Sequence, residues 1–250
     1  MTWRVRYRIS RTTGNGSATR HDTFTVEIRP DETVLDGIEV IWARQDRTLA
    51  FRHACHHASC GSCGLRVNGV EKLPCVTTVQ DVTTDGGTLT IEPLRSFPVL
   101  GDLVVDPAPL FKRMQQVGMP LIRRAEPFGE PGDFHRFENC IECGLCLSAC
   151  PVMLASPHYL GPAALAAAER VIAEPREADV PSLLRLLDGE HGVWQCHSAF
   201  ECTEVCPSDV NPAGAIMALR ARLIRERIKR LFGRGALAAP SGGDRDTKRT

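Results

Sequence analysis

No stretch of the 250-residue chain is apolar for the roughly 20 residues that a membrane helix needs. The longest near-apolar run, Leu160 to Ala168, is too short, so any membrane contact is expected to be peripheral. Charge of one sign is not in excess either: thirty basic and thirty acidic residues cancel, and no global field recruits nucleic acid or an anionic surface. The opening MTWRVRYRISR lacks the unbroken apolar core and small-residue cleavage site of a secretory signal, which predicts a cytosolic chain. What the chain does have is cysteine. Eleven of them, an odd number, in a reducing compartment point to thiolate ligands rather than disulfides. With 43% hydrophobic residues, two domains could each bury a core.

Residues 3–9 (WRVRYRI) and 23–28 (TFTVEI) alternate as strands, and Gly14-Asn15-Gly16-Ser17 between them supplies turn residues, so a β-hairpin is expected. From Thr33 to Arg44, Val34, Leu35, Ile38, Ile41 and Trp42 fall at helical spacing, and Thr88 to Ile91 reads as a short closing strand. Recurrent prolines between Leu94 and Pro109 mark a boundary, after which helices are predicted at Pro107–Gly118, Pro162–Glu174, Ser182–Leu187 and Pro212–Phe232. The predicted class is α+β. An α+β domain over 1–105 is followed by a helical domain over 106–235, and 236–250 form a polar, disordered tail.

Cys55, Cys60, Cys63 and Cys75 are spaced C-x4-C-x2-C-x11-C, the plant-type 2Fe-2S arrangement. One loop delivers most of the thiolates, and Gly61 and Gly64 sit where its backbone must come close. The competing reading is zinc, which more usually takes two well-separated C-x2-C pairs. His56 and His57 invite a Rieske reading, but four cysteines leave no need for a histidine ligand; both read as loop residues, His56 as a donor to the cluster surroundings.

Cys140, Cys143, Cys146 and Cys150 with Pro151 spell CxxCxxCxxxCP, the bacterial ferredoxin run whose fourth cysteine serves the other cluster. Cys196, Cys202 and Cys206 with Pro207 repeat it, except that Ala199 replaces the second cysteine. If the crossing rule holds, Cys140, Cys143, Cys146 and Cys206 hold a 4Fe-4S cluster. Cys150, Cys196 and Cys202 are left with three thiolates, which favours a 3Fe-4S cluster. A second 4Fe-4S cluster, with water or His197 as fourth ligand, is the alternative.

A plant-type 2Fe-2S domain followed by this paired run resembles the iron-sulfur subunit of succinate dehydrogenase and fumarate reductase. Asp102-Leu103-Val104-Val105-Asp106 with Phe111 looks like that family's linker, and Cys206-Pro-Ser-Asp-Val-Asn-Pro resembles its final cysteine segment. The resemblance implies a β-grasp ferredoxin domain followed by an all-α bacterial-ferredoxin-like domain. It also implies a flavoprotein partner carrying FAD, a membrane anchor, and electron relay between flavin and quinone through 2Fe-2S, 4Fe-4S and 3Fe-4S clusters. The chain would then lie peripherally on the cytoplasmic face of the cell membrane and hold no substrate-converting residue.

Ubiquinone-linked members carry a serine and a tryptophan after the first CP, whereas Pro151 is followed here by Val152, Met153, Leu154 and Ala155, which favours menaquinone. His197 matches the family histidine near the third cluster and the quinone; a solvated or capping role is its plain alternative. Arg220, Arg222, Arg225, Arg227, Lys229 and Arg230 form a basic helix that reads either as a solvated face or as a contact with an anchor or anionic lipid. Two other readings stay open: a soluble fumarate reductase-like complex coupled to a thiol or heterodisulfide partner, and a zinc- or cluster-sensing regulator. The neutral charge and the lack of a nucleic-acid-reading module argue against the regulator.

Overall fold

The computed structural model describes residues 1–13, 18–120, 137–173 and 178–232. The turn expected at 14–17 and the tail expected at 236–250 lie outside them. Alternation builds the first unit. In β1 (Trp3–Thr13), Val5, Tyr7 and Ile9 are fully buried while the intervening arginines face solvent. β1 pairs antiparallel along its whole length with β2 (Ala18–Ile28). Helix α1 (Val34–Arg44) starts at a capping box: Asp36 N–H donates to Thr33 Oγ1 at 3.1 Å, and Thr33 N–H donates to Asp36 Oδ2 at 2.8 Å. Its Val34, Leu35, Ile38 and Ile41 lie against the core.

A short hairpin, β3 (Leu65–Val67) and β4 (Val70–Lys72), follows the first cysteine loop. Strand β5 (Thr88–Glu92), expected to close the sheet, instead runs through it, parallel to β1 and antiparallel to β3. The sheet order is β2-β1-β5-β3-β4, a mixed sheet crossed by α1.

A two-strand clasp, β6 (Val99–Gly101) and β7 (Val104–Val105), leads to helix α2 (Ala108–Gln116). Beyond it come α3 (Leu145–Ala149), α4 (Pro151–Ala155), α5 (Gly161–Ala173), α6 (Val180–Asp188), α7 (Glu201–Glu204) and α8 (Pro212–Phe232). The alanine-rich α5 is buried along most of its length and packs on α2 and α8. Small side chains let these helices approach closely. Helix α6 begins two residues earlier than expected because Asp179 caps it, accepting from Ser182 N–H at 3.0 Å. Among the described residues no helix is long and apolar enough to cross a membrane.

The two units share one core, in which Leu73, Leu94 and Phe97 meet Leu145, Leu147 and Leu165. A polar knot sits within the contact. The fully buried Ser148 donates to Glu71 Oε1 at 2.7 Å and accepts from Arg95 N–H at 2.8 Å, while the Arg95 guanidinium reaches the same carboxylate at 3.3 Å. Arg66 braces it, 3.6 Å from Glu71 and 3.1 Å from Glu92.

The Asp102 linker segment has a structural reason for its residues. Asp102 accepts from Thr12 N–H at 2.8 Å and Ala50 N–H at 2.9 Å, and lies 3.2 Å from the buried Arg11 guanidinium. Asp106 accepts from the N–H of Ala108, the first residue of α2, at 2.9 Å. Asp102→Ala is expected to cost about 3 kcal/mol, because it leaves two amides without acceptors and a buried cation short of a carboxylate. Denaturant titration checks this.

Arg11 also meets Asp46 at 2.5 Å. Hydrogen bonds from the Thr48 side chain, then from Arg11, hold the Asp46 carboxyl well below the usual carboxylate range. A depressed carboxyl stabilises the fold above its unfolded pKa, and the contribution disappears as pH falls toward the folded one. Asp46→Asn should therefore flatten the loss of stability below about pH 4 in an acid unfolding profile.

Candidate metal centre

The eleven cysteines are all free thiols and gather in three groups. In the loop after α1, Cys60 neighbours Cys55, Cys75 neighbours Cys63, and Cys60 lies within electrostatic reach of Cys63. The loop turns its amides inward: Ser59 N–H and Cys60 N–H donate to Cys55 Sγ at 3.3 and 3.4 Å. This is possible because His56, Ala58 and Gly61 take left-handed conformations, with φ of 60°, 59° and 69°. The amides, His57 N–H foremost, bring the Cys55 thiol down to about 6. Burial pushes Cys63 up to about 12.

Cys140, Cys143, Cys146 and Cys206 line one cavity, otherwise walled mainly by apolar residues such as Leu110, Phe137, Leu145 and Ala163. Burial raises Cys143 to about 11, and the neighbouring Cys140 and Cys206 add to the rise. Cys150, Cys196 and Cys202 form the third group, where burial and then the charges of the other two raise Cys202 to about 12. Cys146, half-buried, faces both groups.

The repeat read from the spacing is present in the backbone. Two and four residues after Cys140, Glu142 and Gly144 are left-handed (φ 56° and 78°); two and four after Cys196, Ser198 and Phe200 are as well (58° and 64°). Each pair is followed by a short helix that carries further cysteines, α3 or α7. Ser198 N–H donates to Cys196 Sγ at 3.3 Å. Ala199, between the two left-handed residues, is exposed at the corner where the first run has Cys143.

This donor set fits iron-sulfur clusters. Clustered thiols that would repel one another as thiolates would be held in that form by iron among them, and inward amides offer hydrogen bonds to sulfur. Within each of the three groups the usual zinc pattern, two separated C-x2-C pairs, does not occur.

Several side chains differ from expectation. His56 turns away from the thiols toward Glu39 and His53. His57 Nδ1 lies against the Cys55 carbonyl, and His197 is exposed beside the third group. Arg220 does not belong to the solvated basic face: it donates to Val193 O at 3.0 and 2.8 Å, to Ser198 Oγ at 3.2 Å and to Cys196 O, clamping the third cysteine loop to α8. The buried Tyr159 hydroxyl faces Cys196. Nothing in the sequence distinguishes Arg220 from the arginines around it, and Tyr159 reads simply as a core aromatic.

A family model described as "2Fe-2S iron-sulfur cluster binding domain" matches residues 6–112, and one described as "4Fe-4S dicluster domain" matches residues 136–210. The chain is 36% identical over 226 residues to a fumarate reductase iron-sulfur subunit of Mycobacterium tuberculosis, covering 86% of this chain and 91% of the relative. It is 34% identical over 214 residues to the Haemophilus influenzae protein of the same name, covering 78% and 82%. Among solved structures it is similar to a chain of the Mycobacterium smegmatis Sdh1 complex in the apo form, with a TM-score of 0.78, 26% identity, and coverage of 91% of this chain and 98% of that one.

Proposed function

The chain belongs to the family of fumarate reductase and succinate dehydrogenase iron-sulfur subunits, and from that premise we propose how its eleven cysteines are shared among three clusters. Cys55, Cys60, Cys63 and Cys75 hold 2Fe-2S; Cys140, Cys143, Cys146 and Cys206 hold 4Fe-4S; Cys150, Cys196 and Cys202 hold 3Fe-4S. When bound, these groups supply one-electron carriage between the flavin of a partner flavoprotein and quinone at a membrane anchor. The chain is thus the electron-transfer subunit of an oxidoreductase complex, and interconversion of succinate and fumarate belongs to the flavoprotein.

The observation that carries the allocation is the grouping of the seven C-terminal-half cysteines: four line one cavity and the other three lie together beside it. The chain's own part is to place and insulate. Apolar walls exclude water, inward amides and the Tyr159 hydroxyl face sulfur, and Arg220 fixes the loop of Cys196. We read residues 1–105 and 106–235 as the two domains that do this, with the Ser148 knot between them.

Ala199→Cys tests the allocation. A fourth thiolate at the open corner should add one iron per chain and remove the three-iron resonance signal of the oxidised protein. If the wild-type protein shows no three-iron signal, the third group holds a different cluster.

His197, exposed beside the third group, is the proposed neighbour of the quinone, and the apolar Val152-Met153-Leu154-Ala155 segment favours menaquinone. The relatives are named for fumarate reductase and the Sdh1 complex, so the thiol- or heterodisulfide-coupled alternative gains no support.

We place the chain peripherally on the cytoplasmic face of the membrane through its complex, with the distal part of α8 toward the surface. There Arg222, Arg225 and Arg230 are exposed beside the apolar Ile224, Ile228 and Leu231. Reversing the three charges should weaken recovery of the complex with anionic vesicles by about 1 kcal/mol per charge. Unchanged flotation with such vesicles would refute the contact.

A further inference from the structure

We propose that Glu39, His53 and His56 form a binding site for a divalent transition-metal ion, separate from the eleven cysteines. The proposal stands independently of how the clusters are allocated. Glu39 projects from α1, His53 comes from the stretch that leads into the first cysteine loop, and His56 from the loop itself. Their donor atoms form a tight triangle. His53 Nδ1 and His56 Nε2 are 3.0 Å apart, and Glu39 Oε1 lies 3.2 Å from the first and 3.4 Å from the second.

In the observed ring orientations hydrogen bonding leaves that triangle incomplete: the two ring nitrogens partner each other, and neither is aimed to donate to the carboxylate. If one ring nitrogen carries the proton and donates to the other, the acceptor's single lone pair is taken up and no proton remains for the carboxylate oxygen. If both carry protons, two N–H groups meet head-on at 3.0 Å. Glu39 Oε1 is itself buried and has no hydrogen-bond partner among the described residues. A single cation satisfies all three atoms together. Donors about 2.1 Å from a shared ion stand about 3.0 to 3.4 Å apart for angles between octahedral and tetrahedral, which are the edges observed.

The donors are also held in place. The His53 ring stacks on Phe51 with centroids 5.1 Å apart, and His56 is fixed by its left-handed backbone at φ 60°. Side-chain exposures of 32%, 40% and 44% leave the outer coordination positions open to water or to a partner's side chain. Two imidazoles and one carboxylate select zinc, iron(II), cobalt or nickel over magnesium and calcium. Such an ion would tie α1 to the loop one residue before His56, where Cys55 lies.

Equilibrium dialysis of the full chain, with its clusters intact, against Zn²⁺ tests the site. The expected result is one zinc per chain with unchanged iron, at least about tenfold weaker binding in both Glu39→Gln and His53→Gln, and no change in His158→Gln, an exposed histidine elsewhere. Iron content reports whether each variant retains its fold; if one loses iron, the other decides. Zinc that enters only as iron leaves, no zinc bound in excess ligand, or wild-type affinity in both variants would each overturn the proposal.

Discussion

Gly61→Ala should yield a protein depleted of iron at two places, in the N-terminal loop that carries the substitution and at the neighbouring Cys143. A Cβ at Gly61 would lie 2.7 Å from the Ile141 carbonyl oxygen and 2.9 Å from both Cα and Cβ of Cys143. None of these atoms is the end of a flexible side chain, so relief requires moving the backbone of the second cysteine run. The left-handed φ of 69° adds its own penalty. Strain of about 1–2 kcal/mol from the backbone and about 1–3 kcal/mol from overpacking together remove a large part of a domain's usual stability. Gly86→Ala separates the two effects, because Gly86 has a similar φ of 73° and a Cβ there would meet nothing within 4 Å. It should cost only the backbone strain and retain all its iron. Iron and sulfide analysis of the two variants, with resonance spectra of the reduced proteins, distinguishes them; full iron in Gly61→Ala would show that the two runs do not constrain each other there.

Ser148→Ala is expected to cost about 2–3 kcal/mol, far more than the removal of an exposed hydroxyl. The lost group is both a donor and an acceptor: Glu71 loses its shortest hydrogen bond and the Arg95 amide loses its acceptor, at a position with no access to water. Because Glu71 belongs to β4 and Ser148 to α3, the damage falls on the contact between the two units. Denaturation followed at the cluster absorbance and by circular dichroism should change from one transition to two. A double-mutant cycle with Glu71→Gln measures the coupling, and a coupling near zero would mean that the apolar contacts alone join the units.

Long elements with a clear period are legible in the amino-acid order alone. The alternation of Val5, Tyr7 and Ile9 and the helical spacing of Val34, Leu35, Ile38 and Ile41 lead directly to β1 and α1, and α8 ends where its pattern ends. The hairpin of β3 and β4 is not legible, since three residues per strand carry no readable period. Strand β5 is recognisable as a strand but not as a central one, because its position between β1 and β3 depends on pairing with distant residues. Helices α3, α4 and α7 are too short for periodicity, and the left-handed Glu142, Ser198 and Phe200 are not residues that announce such a conformation. At the site itself, the spacing of the cysteines is enough to group them. The roles of Arg220 and His56 are hidden, since each depends on a partner brought close only by folding.

The shared cavity of Cys140, Cys143, Cys146 and Cys206 has a consequence for the order in which this protein can be made. A ribosome delivers three of those cysteines early and the fourth only after the intervening helices have been synthesised. Until residue 206 emerges, the earlier run is a set of reactive thiols without its last member, open to oxidation or to the wrong metal. On the proposed ligand set, the cluster of this cavity can be completed only after residue 206 is made, whereas all four cysteines of the N-terminal loop are available by residue 75.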